Sequence, residues 1–584
     1  MSDCLVNVLS KLRRSSRESI DDEKNFDDFK EYMHITRNIE LDLKSTLFKI
    51  KNSNPQCKTL VFVCGSSGDG KSHLLSFLKN SDQEQLLDDF IICNDATESN
   101  APNKTAIETL NESLNDFSDK NLDKPGKNMI LAINLGVLNN FIESDYGGRF
   151  LRLKKYIKDN NLLSEKTQSG TSGGDQHFRY VSFANYQLYS ISNQGASSPF
   201  LVELLKRIFS VPSGPAGQLN PFIDAYSKCC TSCPLQKVCP VKLNFEYLQD
   251  YDVQKYIATI IIMAVAKGKL ILTTREVLNY FYDIVVPQTF ECDNLTKIIQ
   301  DKYKTAETVL SQITPSLLFD QPEVSTLMKN ISDGDPLRYN DENSDNYVLQ
   351  YCMDENVGPT LKSEFAKTPY AEFISQSDNI DLINNDKELK KTALMCLIRI
   401  NAIKNGTITD KRFIQFIKQL YSYKTGNHRG LNVLYKKVKD AVYALVGVGE
   451  DGKSCLIKQT PEYSLYEAME LEPDISKIPH ATEQDKVFEQ FVPEITIGFT
   501  VKNASKNSAV ELNLDYALYD MLEKLNSGYV FTVNDRNNYA NFVHFVQTLM
   551  KRMDQASEVI ITSKDSNKYI LKHNSLGYDF EVLK

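Results

Sequence analysis

The octapeptide Gly65-Ser66-Ser67-Gly68-Asp69-Gly70-Lys71-Ser72 has the residue types and spacing of a phosphate cradle, Gly-x4-Gly-Lys-Ser. Glycines let the backbone curl until successive N–H groups face one anion. A helix beginning at the end of the loop adds positive potential there. Lys71 would reach the β- and γ-phosphates, and the Ser72 hydroxyl would ligate magnesium. The expected contact segment is therefore Gly65, Ser66, Ser67, Gly68, Asp69, Gly70, Lys71, Ser72 and His73, and the expected ligand is ATP with Mg2+. The flanking residues agree with this chemistry. Thr59 to Cys64 is a short run of β-formers closed by Gly65, which predicts a buried strand. From Ser72 to Lys79, Leu74, Leu75 and Leu78 share one helical face.

Hydrolysis needs more than a cradle. An acidic residue at a strand end holds the metal through water, and a polar residue positions the attacking water. The run Met129 to Ile133 predicts a strand, but it ends in Asn134-Leu135 where an Asp-Glu pair is expected; Asn134 could position water without charge. Asp95 and Glu98 after the run at 90–93 are the alternative acids, and a helix cap is the other reading of both. Asn185, after the run near 180, is a candidate γ-phosphate sensor. Arg275 in Leu272-Thr273-Thr274-Arg275-Glu276-Val277-Leu278 is a candidate second sensor at the start of a lid helix, with a plain surface arginine as the alternative.

A second match, Gly447-Val448-Gly449-Glu450-Asp451-Gly452-Lys453-Ser454, follows the strand-like run Ala441 to Val446. Pro461 lies two turns further on, and no amphipathic face extends between them. This stretch predicts a β-hairpin with a polar turn of Gly and Asp rather than a nucleotide site.

Cys230-x2-Cys233-x5-Cys239-Pro240, with Cys229 adjacent, concentrates thiols. Zinc takes four thiolate or imidazole ligands, so Cys230, Cys233 and Cys239 leave the fourth ligand open. Reduced core thiols or a redox-sensitive pair are the alternatives.

The 584 residues are 41% apolar and carry a net charge of −9, so a sizeable core is available and a wholly basic coat is excluded. A local basic groove is not. The longest apolar run, Tyr256 to Ala266, is too short to span a bilayer, and no signal peptide is visible, which predicts a cytoplasmic protein. No nuclease centre emerges: Pro473-Asp474-Ile475-Ser476-Lys477 lacks a matching Glu-x-Lys strand. Helix-turn-helix, zinc-finger and single-strand-binding patterns are missing, and the basic stretch Lys11 to Arg17 reads as a solvated helix face.

Strand-length runs at 59–64, 90–93, 129–133 and 180–183 alternate with helical patterns and predict a parallel sheet covered on both sides. The fold class is α/β: a P-loop NTPase domain with a parallel sheet, a helical region, then a C-terminal α+β domain. The expected divisions are an N-terminal helical segment at 1–55, the NTPase domain at 56–290, a mainly helical region at 291–440 and the α+β domain at 441–584. Ser164 to Gln176 and Ser332 to Asn346 are expected loops.

Taken together, Leu9 to Glu18, Cys64 to Leu75, Asn94-Asp95-Ala96-Thr97-Glu98-Ser99, Leu131 to Gly136, Leu272 to Leu278 and Leu512 to Tyr519 resemble the DptF family. DptF is a component of the DNA phosphorothioation-dependent restriction system, which acts on DNA lacking a sulfur mark in its backbone. The resemblance implies an ATPase component of an anti-phage complex, with DptG- and DptH-type partners and DNA reached directly or through them. Three other readings remain: a signalling or scaffold NTPase of another defence pathway without DNA contact, a nuclease with an unrecognised C-terminal site, and a nucleotide-binding subunit without turnover, suggested by Asn134.

Overall fold

The computed structural model describes residues 4–13, 28–53, 57–81, 85–93, 105–163, 175–211, 219–288, 302–339, 342–406, 410–449, 454–482, 486–502, 508–553, 558–565, 567–574 and 577–583. Four strands, β1 (Leu60–Cys64), β2 (Phe90–Cys93), β3 (Asn128–Ile133) and β4 (Phe178–Ser182), form one all-parallel sheet in the order β2-β3-β1-β4. In register, Cys64 lies opposite Ile133 on one side and Ser182 on the other. The next residues of the three strands, Gly65, Asn134 and Phe183, therefore reach the same carboxyl edge. After β1 the chain crosses to the far side of β3 to form β2 and later returns to the other side of β1 as β4. Such a reversal opens a crevice beyond the carboxyl ends of the strands.

Strand alternation decides what covers each face. Leu60, Phe62 and Cys64, with Met129, Leu131, Ile133 and Phe178, join a core that includes Leu110, Phe117, Leu138, Phe141, Phe150 and Leu153. Val61, Val63, Ile130, Ala132 and Val181 face the other way, into a core with Leu74, Leu75 and Leu78 of the Lys71–Ser81 helix and Ile39, Leu43 and Leu47 of the Asn38–Lys51 helix. All five β1 side chains are buried, which is why this strand reads as a continuous apolar run. The helix before the sheet and the helix after the glycine loop thus share one face of it.

A short hairpin, β5 (Ser190–Ser192) and β6 (Gly195–Ser197), leads into helices that continue to Val446. The expected loop at 332–346 is partly helical: Pro336–Arg338 makes a 3-10 turn and a helix runs from Glu342 to Met353. Two antiparallel sheets follow. One has the order β11-β10-β9 (Val510–Leu514, Ile495–Val501, Leu471–Asp474). The other has the order β14-β13-β12-β8-β7 (Gly577–Leu583, Lys568–Asn574, Glu558–Ser563, Tyr463–Ala468, Ser454–Gln459). A single apolar cluster runs from Leu5 and Leu9 through the helical region to Leu549 and Met553. Among the described residues, no helix is long and apolar enough to cross a membrane.

Candidate phosphate-binding loop

Gly65 to Gly70 links the end of β1 to the Lys71–Ser81 helix with no intervening element. Gly68 and Gly70 have φ of +91° and +102°, a region that side chains rarely tolerate, so both positions require glycine. The Lys71 ammonium folds back over the loop and donates to the carbonyls of Gly65 at 3.0 Å and Ser66 at 2.7 Å. The Ser66 N–H donates to the Asp69 carboxylate at 2.5 Å, bracing the loop across its own base. Burial raises the pKa of Asp69, while the Ser66 hydrogen bond, Lys71 and Arg37 pull it the other way. A Cβ on Gly65 would lie 2.7 Å from Asp69 Oδ2 and 3.2 Å from Phe183 Cβ, so side chains close the loop on that side. Ser67 is exposed on the outer turn, and Ser72 is partly buried on the first turn of the helix.

Three elements border the loop. The Gly65 N–H donates to the Ile133 carbonyl at 3.3 Å, which sets the loop against the end of β3. Asn134 is the next residue there, and its Oδ1 accepts from the Gly136 N–H at 2.7 Å, capping the Leu135–Glu143 helix. The side-chain oxygen at this strand end thus has a structural partner and no charge. On the other flank a 3-10 turn, Phe183–Asn185, follows β4 and buries Asn185 Oδ1, which has no hydrogen-bond partner among the described residues. The third element is the Thr274–Asp283 helix. Thr273 and Glu276 form a reciprocal capping box at its start, the Arg275 N–H donates to the Gly68 carbonyl at 3.3 Å, and the Thr274 hydroxyl donates to the Asp69 carbonyl at 3.4 Å. Arg275 is therefore brought to the loop from more than 200 residues downstream.

Arg37 went unrecognised in the sequence. It precedes the Asn38–Lys51 helix, and its guanidinium lies between the rings of Phe183 at 5.4 Å and Phe200 at 4.8 Å. Among the described residues that guanidinium has no hydrogen-bond or ion-pair partner. Burial opposes its charge and nearby Asp69 supports it. Only the packing of this helix beside β4 brings the arginine to the loop; its sequence context, Ile35-Thr36-Arg37-Asn38, carries no signal.

His73 turns away from the cradle. Its Nε2 lies 3.1 Å from His34 Nδ1, and His34 Nε2 lies 3.0 Å from Glu40 Oε2. Burial, reinforced by His34 and Lys30, lowers the His73 pKa to about 4. The ring therefore stays neutral near pH 7 and joins the loop helix to the N-terminal segment. Asp95 and Glu98 lie outside the described residues.

The second glycine match has a different local structure. Ala441 to Val446, expected as a strand, is the end of the His428–Val446 helix. The β-rich composition misleads because Leu431, Leu434, Tyr435, Val438, Ala441 and Val442 form one buried helical stripe. Gly447, with φ +86°, ends that helix, and Ser454 begins β7, paired back through the Val448–Cys455 bridge. No helix starts at Ser454, so the anion-binding end of a cradle is missing here.

Cys230 is buried at the end of a π turn, Tyr226–Cys230, whereas Cys229, Cys233 and Cys239 are partly exposed. Among the described residues, no group of three or more His, Cys, Asp or Glu is gathered tightly enough to hold a metal ion. No family model, curated protein or solved structure matches the chain, so any assignment of function rests on its own residues.

Proposed function

We propose that this chain binds ATP with magnesium at Gly65–Ser72 and serves as the nucleotide-dependent component of a DNA phosphorothioation-dependent restriction complex. One observation carries the nucleotide reading. A loop with two positive-φ glycines sits at the carboxyl edge of a central parallel strand, runs directly into a helix, and has the Lys71 ammonium held over its carbonyls. A triphosphate oxygen would take over Lys71 from those carbonyls, exchanging neutral acceptors for charged ones. Backbone N–H groups at the start of the Lys71–Ser81 helix would face the phosphates, and Ser72 would ligate the metal. The restriction role rests on the DptF resemblance of the loop, of Leu131 to Gly136 and of Leu272 to Leu278.

Asn134 favours a second reading, a nucleotide-gated switch with slow turnover or none. The strand end that would carry the metal-directing acid holds a neutral amide already used as a helix cap. ATP turnover by the purified chain, with and without unmodified duplex DNA and with Lys71→Ala as control, separates the two. Turnover that rises with DNA and disappears in Lys71→Ala supports an ATPase engaged on DNA. Retained ATP binding without turnover supports the switch, and DNA-independent turnover favours a signalling NTPase.

A further inference from the structure

The thiols at 230, 233 and 239 acquire a fourth neighbour that lies more than 200 residues away in sequence. Cys4 immediately precedes the Leu5–Leu9 helix, and its carbonyl accepts from the Asn7 N–H at 2.9 Å. That helix packs against the Pro221–Ala225 helix and the Tyr226–Cys230 π turn, with Leu5, Leu9, Phe222 and Cys230 in one apolar cluster. This packing sets Cys4 within electrostatic range of both Cys230 and Cys239; Cys233 is likewise in range of both.

The polypeptide around these thiols is built tightly. The Cys233 N–H donates to the Cys230 carbonyl at 3.4 Å, Gln236 N–H to Cys233 at 3.1 Å, and Cys239 N–H to Leu235 at 2.9 Å. Cys239 immediately precedes the Pro240–Tyr247 helix as its N-cap residue. The π turn inserts extra winding before Cys230 and buries it, while Cys229 remains partly exposed.

We propose that Cys4, Cys230, Cys233 and Cys239 together ligate one metal centre, with Cys4 as the fourth thiolate. Four thiolates suit either a zinc ion or a [4Fe–4S] cluster. Zinc at about 2.3 Å from each sulfur requires the sulfurs to lie about 3.8 Å apart. Among the described residues no group of His, Cys, Asp or Glu is gathered for a single ion, while Cys4 and Cys233 lie within electrostatic range of both Cys230 and Cys239. A cubane sets its ligands at wider corners, and a last cysteine followed by proline, as in Cys239-Pro240, also occurs in cysteine runs that hold such clusters. The cluster is therefore the favoured occupant. It would fasten the start of the chain to the segment beyond the parallel sheet, so that residues 4 to 239 close into one loop.

The full-length chain, purified without air from iron- and zinc-replete cells, is assayed for iron, sulfide and zinc, and its thiols are alkylated with iodoacetamide and mapped. About four irons and four sulfides per chain are expected. Cys4, Cys230, Cys233 and Cys239 should be protected, while exposed Cys352 reacts. Cys4→Ser should lower the metal content about tenfold or more, and Cys229→Ser should leave it unchanged. One zinc per chain, lost in Cys4→Ser, would support the four-thiolate site with zinc as its occupant. Full metal retention in Cys4→Ser overturns the proposal. So does a wild-type chain without bound iron or zinc in which partly exposed Cys4, Cys233 and Cys239 are alkylated as readily as Cys352. The wild-type measurements stand even where a variant fails to fold.

Discussion

Lys71 and Arg37 bring two cations to one loop by different routes. Lys71 belongs to the loop and is held there by the carbonyls of Gly65 and Ser66. Arg37 comes from the preceding helix and is kept in place by two aromatic faces, with no hydrogen-bond partner among the described residues. An anion in the cradle would offer that guanidinium a charged partner beside Asp69. Arg37→Ala is therefore expected to weaken ATP binding about 5- to 50-fold, measured by calorimetric titration, with the melting temperature without nucleotide little changed. Unchanged affinity would remove Arg37 from the site. His73 gives a prediction about pH. Its pKa is lowered from 6.5 to about 4, so between those values the unfolded chain takes up a proton that the folded one excludes. Folding stability should fall as pH drops through that window, by an amount on the order of 1–3 kcal/mol. Burial sets most of this shift, His34 and Lys30 add to it and Glu40 opposes it, so denaturant unfolding of wild type and His73→Gln from pH 7 to 4.5 is the appropriate comparison. An identical pH dependence in the two would contradict the assignment.

At the scale of elements, the start of the Thr274–Asp283 helix acts as a clasp on the glycine loop. Its capping box fixes the first turn, and that turn donates to the Gly68 and Asp69 carbonyls. Thr273→Ala removes the cap and should cost about 1 kcal/mol in stability. It should also weaken ATP binding, because the loop loses the surface it rests on; Thr273→Ser should restore both. The elements that were legible in the sequence share a physical cause. β1, with both faces buried, gives an unbroken apolar run, and the loop announces itself through glycine spacing. The contacts that were not legible depend on tertiary packing. Nothing in Ile35-Thr36-Arg37-Asn38 shows that Phe183 and Phe200 will enclose the arginine. Cys4 is an isolated cysteine until the first helix docks beside the π turn. Ala441 to Val446 has strand-like composition, yet it continues a helical stripe that begins ten residues earlier, and the helix prevails.

At the scale of the whole molecule, one buried ionic group ties distant parts of the helical region together. Arg399 is 1% exposed and pairs with Asp320 and Asp335, donating to Asp320 at 2.6 and 2.8 Å and to Asp335 at 2.6 and 3.2 Å. The two carboxylates hold its charge firmly against the cost of burial. Arg399→Ala strands the buried Asp335 carboxylate and should destabilise the chain by about 3–5 kcal/mol in equilibrium denaturation, with the native ATP affinity retained in whatever fraction remains folded. Arg399→Lys should recover only part of this, since an ammonium cannot reach both carboxylates in the planar, bidentate manner of a guanidinium.

The claim on which the functional account depends is that Gly65–Ser72 holds a triphosphate. Its most direct test is equilibrium binding of ATP with magnesium to the full-length chain and to Lys71→Ala, each first shown to be folded by circular dichroism. Saturable binding at one site per chain, weakened about 10- to 100-fold by loss of the Lys71 ammonium, is the predicted result. Equal affinity in the two proteins, or no binding by the folded wild type, would contradict the account.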